Sequence, residues 1–178
     1  MIIQHRVNDL KISNIADGIE IDLRFKNKII MQHDIDKDGF ALDLNELNKL
    51  RHELIILNIK ESGIEDLLIN DLPDNCYFLD SQIPDIIKHS KNGFKRFILR
   101  VSKYEELNKN MMDLVKPKYI WVDYDYFNFS KKEFDIFLNY IENTYNAEKI
   151  LVHPSVYGIS TQLIDIPNQW HICRRIYD

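Results

Sequence analysis

Glu20 and Asp22 stand two residues apart in the apolar run GIEIDL, so in a strand both carboxylates point to the same side. Paired oxygen ligands on one face suit a hard divalent cation. Two further dyads flank them, His5-Arg6 ahead and His33-Asp34 behind, and Asn58-Ile-Lys60 follows. Imidazole titrates close to neutral pH, which makes His5 and His33 candidates for a base and an acid. Arg6 and Lys60 carry the fixed positive charge that a phosphoryl oxygen needs. Such a set points to metal-assisted acid–base chemistry at a phosphate.

Short β-rich apolar runs alternate with amphipathic stretches, the pattern of a parallel α/β fold. Eight runs read as strands: Met1 to His5, Ile19 to Leu23, Leu54 to Ile59, Cys76 to Asp80, Arg96 to Val101, Tyr119 to Asp123, Lys149 to His153 and His171 to Arg175. Helices are expected over Asp9 to Ala16, Leu42 to His52, Ile64 to Ile69, Pro84 to His89, Tyr104 to Val115 and Lys131 to Tyr145. In the last of these, Phe134, Phe137, Leu138 and Ile141 recur at helical spacing behind an N-cap at Ser130. Eight strands with crossovers predict an abbreviated (β/α)8 TIM-type barrel, since 178 residues is well under the roughly 250 usual for that fold. Several helices must then be short or missing, and an open doubly wound sheet is the structural alternative. A ninth run, Lys28 to Gln32, follows its predecessor too closely for a helical crossover and predicts a hairpin-like excursion that delivers His33-Asp34 to the rim.

On that frame the polar residues fall at strand ends, the working face of a parallel barrel. His5-Arg6, Glu20-x-Asp22, Asn58-x-Lys60, Arg100, Asp123 and His153 all lie there. Composition narrows the alternatives. The chain holds 45% hydrophobic and 29% charged residues, which fits one globular domain spanning 1–178. A net charge of −5 argues against a surface built for nucleic acid or anionic lipid. No apolar run reaches bilayer length and MIIQHRVNDL lacks the order of a signal peptide, so a cytoplasmic protein without membrane insertion is expected. Cys76 and Cys173 have no CxxC partner and read as buried thiols. A barrel short of outer helices leaves apolar strand surface that a homodimer would cover.

The succession His5-Arg6, Gly18-Ile-Glu20-Ile-Asp22, Ile29-Ile-Met-Gln-His33-Asp34 and Leu57-Asn58-Ile-Lys60 resembles the glycerophosphodiester phosphodiesterase family, within the phospholipase-C-like barrels. The likeness covers residues 1–60 at motif level; beyond them it rests on element order. It implies a calcium or magnesium ion held by Glu20, Asp22 and the position of Asn58. It also implies His5 and His33 as the acid–base pair, Arg6 and Lys60 on the phosphate, and a glycerol-linked or similar small phosphodiester as substrate. In the family's course, a glycerol hydroxyl closes a cyclic phosphate that water then opens. Two departures matter. Val7 stands where the family has a glycine that lets the loop approach closely, and Asn58 replaces the third acid, leaving a neutral carbonyl as ligand. Metal affinity is then lower unless Asp34, Asp36 or Asp123 compensates. A catalytically impaired relative that binds a phosphate ligand or regulates is the alternative function.

Asp34-Ile-Asp36-Lys-Asp38-Gly39 opens like an EF-hand loop, but the twelfth place is Asn45 and Glu46 comes one residue late. A polar rim loop is the expected reading. His153-Pro154 and Arg174-Arg175 are expected to be surface or ion-paired groups. Tyr119, Trp121, Tyr124, Tyr126, Phe127 and Phe129 serve either packing or headgroup stacking.

Overall fold

Alternation of inward and outward side chains decides the architecture. In the computed structural model, which describes residues 1–11, 16–159 and 164–176, the parallel strands are β1 (Ile2–Gln4), β2 (Gly18–Phe25), β5 (Leu54–Ile59), β6 (Cys76–Leu79), β7 (Phe97–Val101), β8 (Tyr119–Val122), β9 (Glu148–Val152) and β10 (His171–Arg174). Each pairs with the next, and β1 pairs with both β10 and β2, so the sheet closes into an eight-stranded parallel barrel. The closed ring rules out the open doubly wound sheet.

Between β2 and β5 the chain makes the expected excursion. β3 (Ile29–Met31) runs antiparallel to β2 and β4 (Phe40–Ala41) antiparallel to β3. The turn into β3 is tight, with Asn27 at φ 59°, a conformation asparagine tolerates better than most residues. The return leg passes so close that a Cβ on Gly39 would lie 2.5 Å from the Met31 carbonyl oxygen and 2.8 Å from Gln32 Cβ. Gly39→Ala must push the strands apart beside His33. We expect it to cost about 1–3 kcal/mol in denaturant unfolding, the usual range for overpacking.

Two layers of apolar side chains result. Ile3, Leu54, Ile56, Leu79, Ile98, Ile150 and Cys173 fill the barrel, while the alternate residues Ile19, Ile21, Leu23, Ile55, Leu57, Phe78 and Phe97 face outward under helices. Those helices are α1 (Leu44–Leu47), α2 (Ile64–Leu68), α3 (Ile83–Lys91) and α4 (Lys109–Val115). α5 (Lys131–Thr144) covers β8 and β9 with Phe134, Leu138 and Ile141 against Ile120, Val122 and Leu151. Each fully buried side chain of this size contributes roughly 1.5–3 kcal/mol. Ser130 caps α5 as expected, accepting the Glu133 N–H.

Helix lengths correct the sequence reading. The stretch expected as helix over Leu42 to His52 holds only the four residues of α1. Of Tyr104 to Val115, the first five residues are loop, because Asn108 caps α4 by accepting the Met111 N–H. Of the helix expected over Asp9 to Ala16, residues 12–15 lie outside the described ones, and Asp9, Leu10, Lys11 and Ala16 are turn and loop rather than helix. Between β9 and β10 the described residues contain only a 3-10 turn, Pro154–Tyr157. Both cysteines are free and buried. No helix among the described residues is long and apolar enough to cross a membrane.

Candidate active site

β2 sends Glu20 and Asp22 into the barrel, where they are 0% and 1% exposed. β1 is short and ends at Gln4, so the top of β2 would lack a partner on that side. The following loop supplies one. Arg6 takes φ 57° and its backbone N–H donates to Glu20 Oε2 at 2.8 Å. The Val7 N–H donates to the Glu20 carbonyl, and Val7 itself is buried in the outer core. Asn8 then clamps Asp22: its amide donates to Asp22 Oδ2 at 3.1 Å and its oxygen accepts the Asp22 N–H at 2.9 Å.

Across the sheet, Asp22 stands in register with Asn58 of β5. The Asn58 amide donates to Glu20 Oε1 at 2.8 Å, which leaves its carbonyl oxygen buried and without a hydrogen-bond partner. Asp22 Oδ1 is likewise buried, with only the Lys60 ammonium beside it at 3.0 Å and out of hydrogen-bond alignment. Two buried oxygens without hydrogen bonds, on strand neighbours in register and beside a buried glutamate, are donors that suit a hard cation. Among the described residues, however, no three His, Cys, Asp or Glu side chains converge as a ligand group. The compensation expected from Asp34 or Asp123 does not occur: Asp34 pairs with His33 and Lys37, and Asp123 with Arg100 and Tyr157. Asp36 is exposed on the rim loop. The candidate set is therefore two carboxylates and one amide, with Lys60 supplying positive charge in its midst.

His5 lies beside this centre, its Nε2 3.7 Å from Glu20 Oε2 and its Nδ1 buried without a partner. Burial, reinforced by the neighbouring Arg6 charge, pushes its pKa down to about 3, so it stays neutral. Burial and then the Asp22 charge push Glu20 up to about 7. His33 is 38% exposed at the mouth and differently held. Arg6 Nη2 lies 2.7 Å from His33 Nε2, and a guanidinium only donates, so Nε2 is the accepting nitrogen. The proton then sits on Nδ1 and is shared with Asp34 Oδ1 at 2.8 Å. Hydrogen bonds from His33 and Lys37 hold the Asp34 carboxyl down to about 2. Arg24 anchors the whole corner by donating to the His33 carbonyl and to Glu61.

The opposite wall comes from β6 to β9. Arg100 meets Asp80 through Nε and Nη2, at 2.8 and 2.5 Å, and Asp123 through Nη1. Asp123 also accepts from the Tyr157 hydroxyl at 3.0 Å, and Asp80 takes φ 59° at the end of β6. Trp121 lies beneath, its indole N–H buried without a partner. Between the walls is a cavity of about 160 Å³ lined by His5, Arg6, Asp22, His33, Asn58, Lys60, Arg100, Trp121, Asp123 and Tyr157. No family model and no curated protein matches this chain. What the site can do therefore follows from its own groups.

All seven residues singled out by spacing thus meet in one place, six on the cavity and Glu20 directly below it. Asn8, Asp80 and Tyr157 escaped the sequence reading; an asparagine two residues past a strand-end dyad was the one available signal. His153 is not on the cavity but caps the 3-10 turn through Ser155. Of the aromatic set, Tyr124, Tyr126 and Phe129 pack with α5. The EF-hand-like segment simply joins β3 to β4.

The opposed shifts of Glu20 and His5 have a measurable consequence in chelator-treated protein. Glu20 binds its proton more tightly folded than unfolded, so its contribution favours the fold at low pH and is lost as pH rises from 4.5 through about 7. His5 binds its proton less tightly folded, so its contribution is present above 6.5 and lost as pH falls towards about 3. Between 4.5 and 6.5 the two slopes, each about 1.4 kcal/mol per pH unit at most, oppose each other. Glu20→Gln should leave a stability that falls on acidification there, and His5→Gln one that falls on alkalinisation. Urea unfolding across that range reads both.

Proposed function

We propose that this chain is a phosphodiesterase that cleaves a small, glycerol-linked type of phosphodiester by histidine acid–base catalysis. The observation that carries the reading is the placement of His5 and the His33–Asp34 pair around one cavity with Arg6 and Lys60. Glu20, Asp22 and the free Asn58 carbonyl would hold a divalent cation, calcium or magnesium, which when bound polarises a phosphoryl oxygen and acidifies the adjacent hydroxyl.

The chain's own groups divide the proton work. An arriving phosphate draws Arg6 away from His33 Nε2, freeing that nitrogen to hold a proton that Asp34 stabilises. His5, kept neutral by burial, takes the proton of the substrate hydroxyl as its oxygen bonds to phosphorus. The P–O bond to the leaving alcohol breaks, and His33 returns its proton to that oxygen. Water then opens the cyclic phosphate with the roles reversed: His33 accepts a proton from water and His5 gives its proton to the ring oxygen. Both histidines end as they began.

The test is release of glycerol phosphate from a panel of glycerophosphodiesters with calcium, magnesium or manganese. Turnover that a chelator stops and that fails in His5→Ala and His33→Ala supports the reading. No turnover with any metal by the folded protein overturns it. The loss of one acidic charge at Asn58 favours a second reading, a non-catalytic phosphate-binding relative. That reading expects phosphate esters to raise the melting temperature without being cleaved.

A further inference from the structure

Beside the catalytic cavity lies a larger groove of about 670 Å³, and Arg100 lines both. It falls within the roughly 300–1,000 Å³ of pockets that hold organic ligands, whereas the catalytic cavity does not. Its lining is mixed: Ile83, Ile86, Leu107, Met111 and Tyr104 give it apolar surface, and Asp80, Glu105, Glu106 and Asn108 stand among them. Ile83 and Tyr104 are 61% and 76% exposed and leave apolar surface open at the lip of the groove. At the Arg100 end the Ser81 hydroxyl is buried without a hydrogen-bond partner. Asp80 and Asp123 already satisfy the Arg100 guanidinium, so the groove offers no free cation to a second phosphate.

We propose that this groove receives the leaving alcohol and selects one bearing an apolar chain of several carbons over a methyl group. The inference rests on the phosphodiesterase reading. A diester whose phosphate sits in the small cavity has two substituents, and the groove that shares Arg100 with that cavity is within reach of one of them. Each methylene buried along Ile86 and Met111 is worth about 0.8 kcal/mol, or roughly three- to fourfold in kcat/KM.

The experiment compares methyl and butyl esters of glycerol phosphate as substrates. The butyl ester is expected to exceed the methyl ester by about 30- to 60-fold in kcat/KM. Met111→Glu places a charge on the groove floor, in the first turn of α4 where a carboxylate is favourable to the helix. It should cut the butyl-to-methyl ratio below about threefold, and Tyr104→Asp, on an exposed loop, should lower it too. Equal turnover of the two esters overturns the groove assignment while leaving the phosphodiesterase standing. If no ester is cleaved the phosphodiesterase reading falls, and calorimetry with butyl and methyl phosphate then judges the groove. Tighter binding of butyl phosphate that Met111→Glu removes upholds an apolar-chain site, and equal binding overturns it.

Discussion

His33→Ala should lower kcat on an alkyl glycerophosphodiester by about 10³-fold, within the 10²–10⁴ that a positioned acid or base contributes, and His5→Ala by a similar factor. The two losses should separate once the leaving group is changed. A 4-nitrophenolate departs without needing a proton, so on the nitrophenyl ester His33→Ala should retain most activity. His5→Ala should stay about 10³-fold down, because the attacking hydroxyl still has to lose its proton. The assignment follows from how each ring is held. His5 is buried and neutral, with Glu20 Oε2 3.7 Å from its Nε2 to offset the charge it gains, whereas His33 has Asp34 2.8 Å from Nδ1 to stabilise an imidazolium. Equal rescue of both variants by the nitrophenyl ester would reverse or dissolve the assignment. Asp34→Asn should imitate His33→Ala more weakly, since it keeps the hydrogen bond but loses the charge.

The barrel was legible because its strands are buried on both faces, so each appears as a compact apolar run, and eight such runs leave little choice of architecture. Glu20 and Asp22 stood out for the same reason: charged residues at alternate positions of an apolar strand are costly unless they have partners. What escaped was the identity of those partners. Nothing in the spacing of Asn8 says that its side chain completes the β2 ladder in place of a strand that ends at Gln4. Asn58 was legible as a candidate for the site but not in orientation, since either end of its amide suits the neighbourhood; the structure gives its N–H to Glu20 and leaves the oxygen free. The loop Tyr104–Asn108 looked helical because Leu107, Met111 and Met112 continue the apolar spacing, yet the Asn108 cap starts the helix later. Lys60 was read toward substrate, and in the structure it first answers Asp22.

That last pairing sets the largest stability effect expected of this site. Lys60→Met should destabilise the metal-free protein by about 3–5 kcal/mol, the range for removing one partner of a buried ion pair. Asp22 is 1% exposed and would keep only the Asn8 amide and Arg6 Nε, the latter at 3.9 Å. Lys60 is 18% exposed and loses less on unpairing, so the deficit belongs chiefly to the stranded carboxylate. Asp22→Asn in the Lys60→Met background should therefore recover part of the loss, a coupling that a double-mutant cycle measures directly. Calcium supplies the second lever. In the wild-type chain a cation has to share Asp22 Oδ1 with the ammonium, so metal adds little stability. In Lys60→Met the oxygen is open, and calcium at about 100 times its dissociation constant should return about 2.7 kcal/mol. Turnover would nonetheless stay low, since the charge facing the phosphate is gone. A Lys60→Met protein that melts within about 1 kcal/mol of wild type, with or without calcium, would mean that Asp22 is neither stranded nor a cation ligand. The carboxylate pair would then be a structural feature of the barrel rather than the base of an active site.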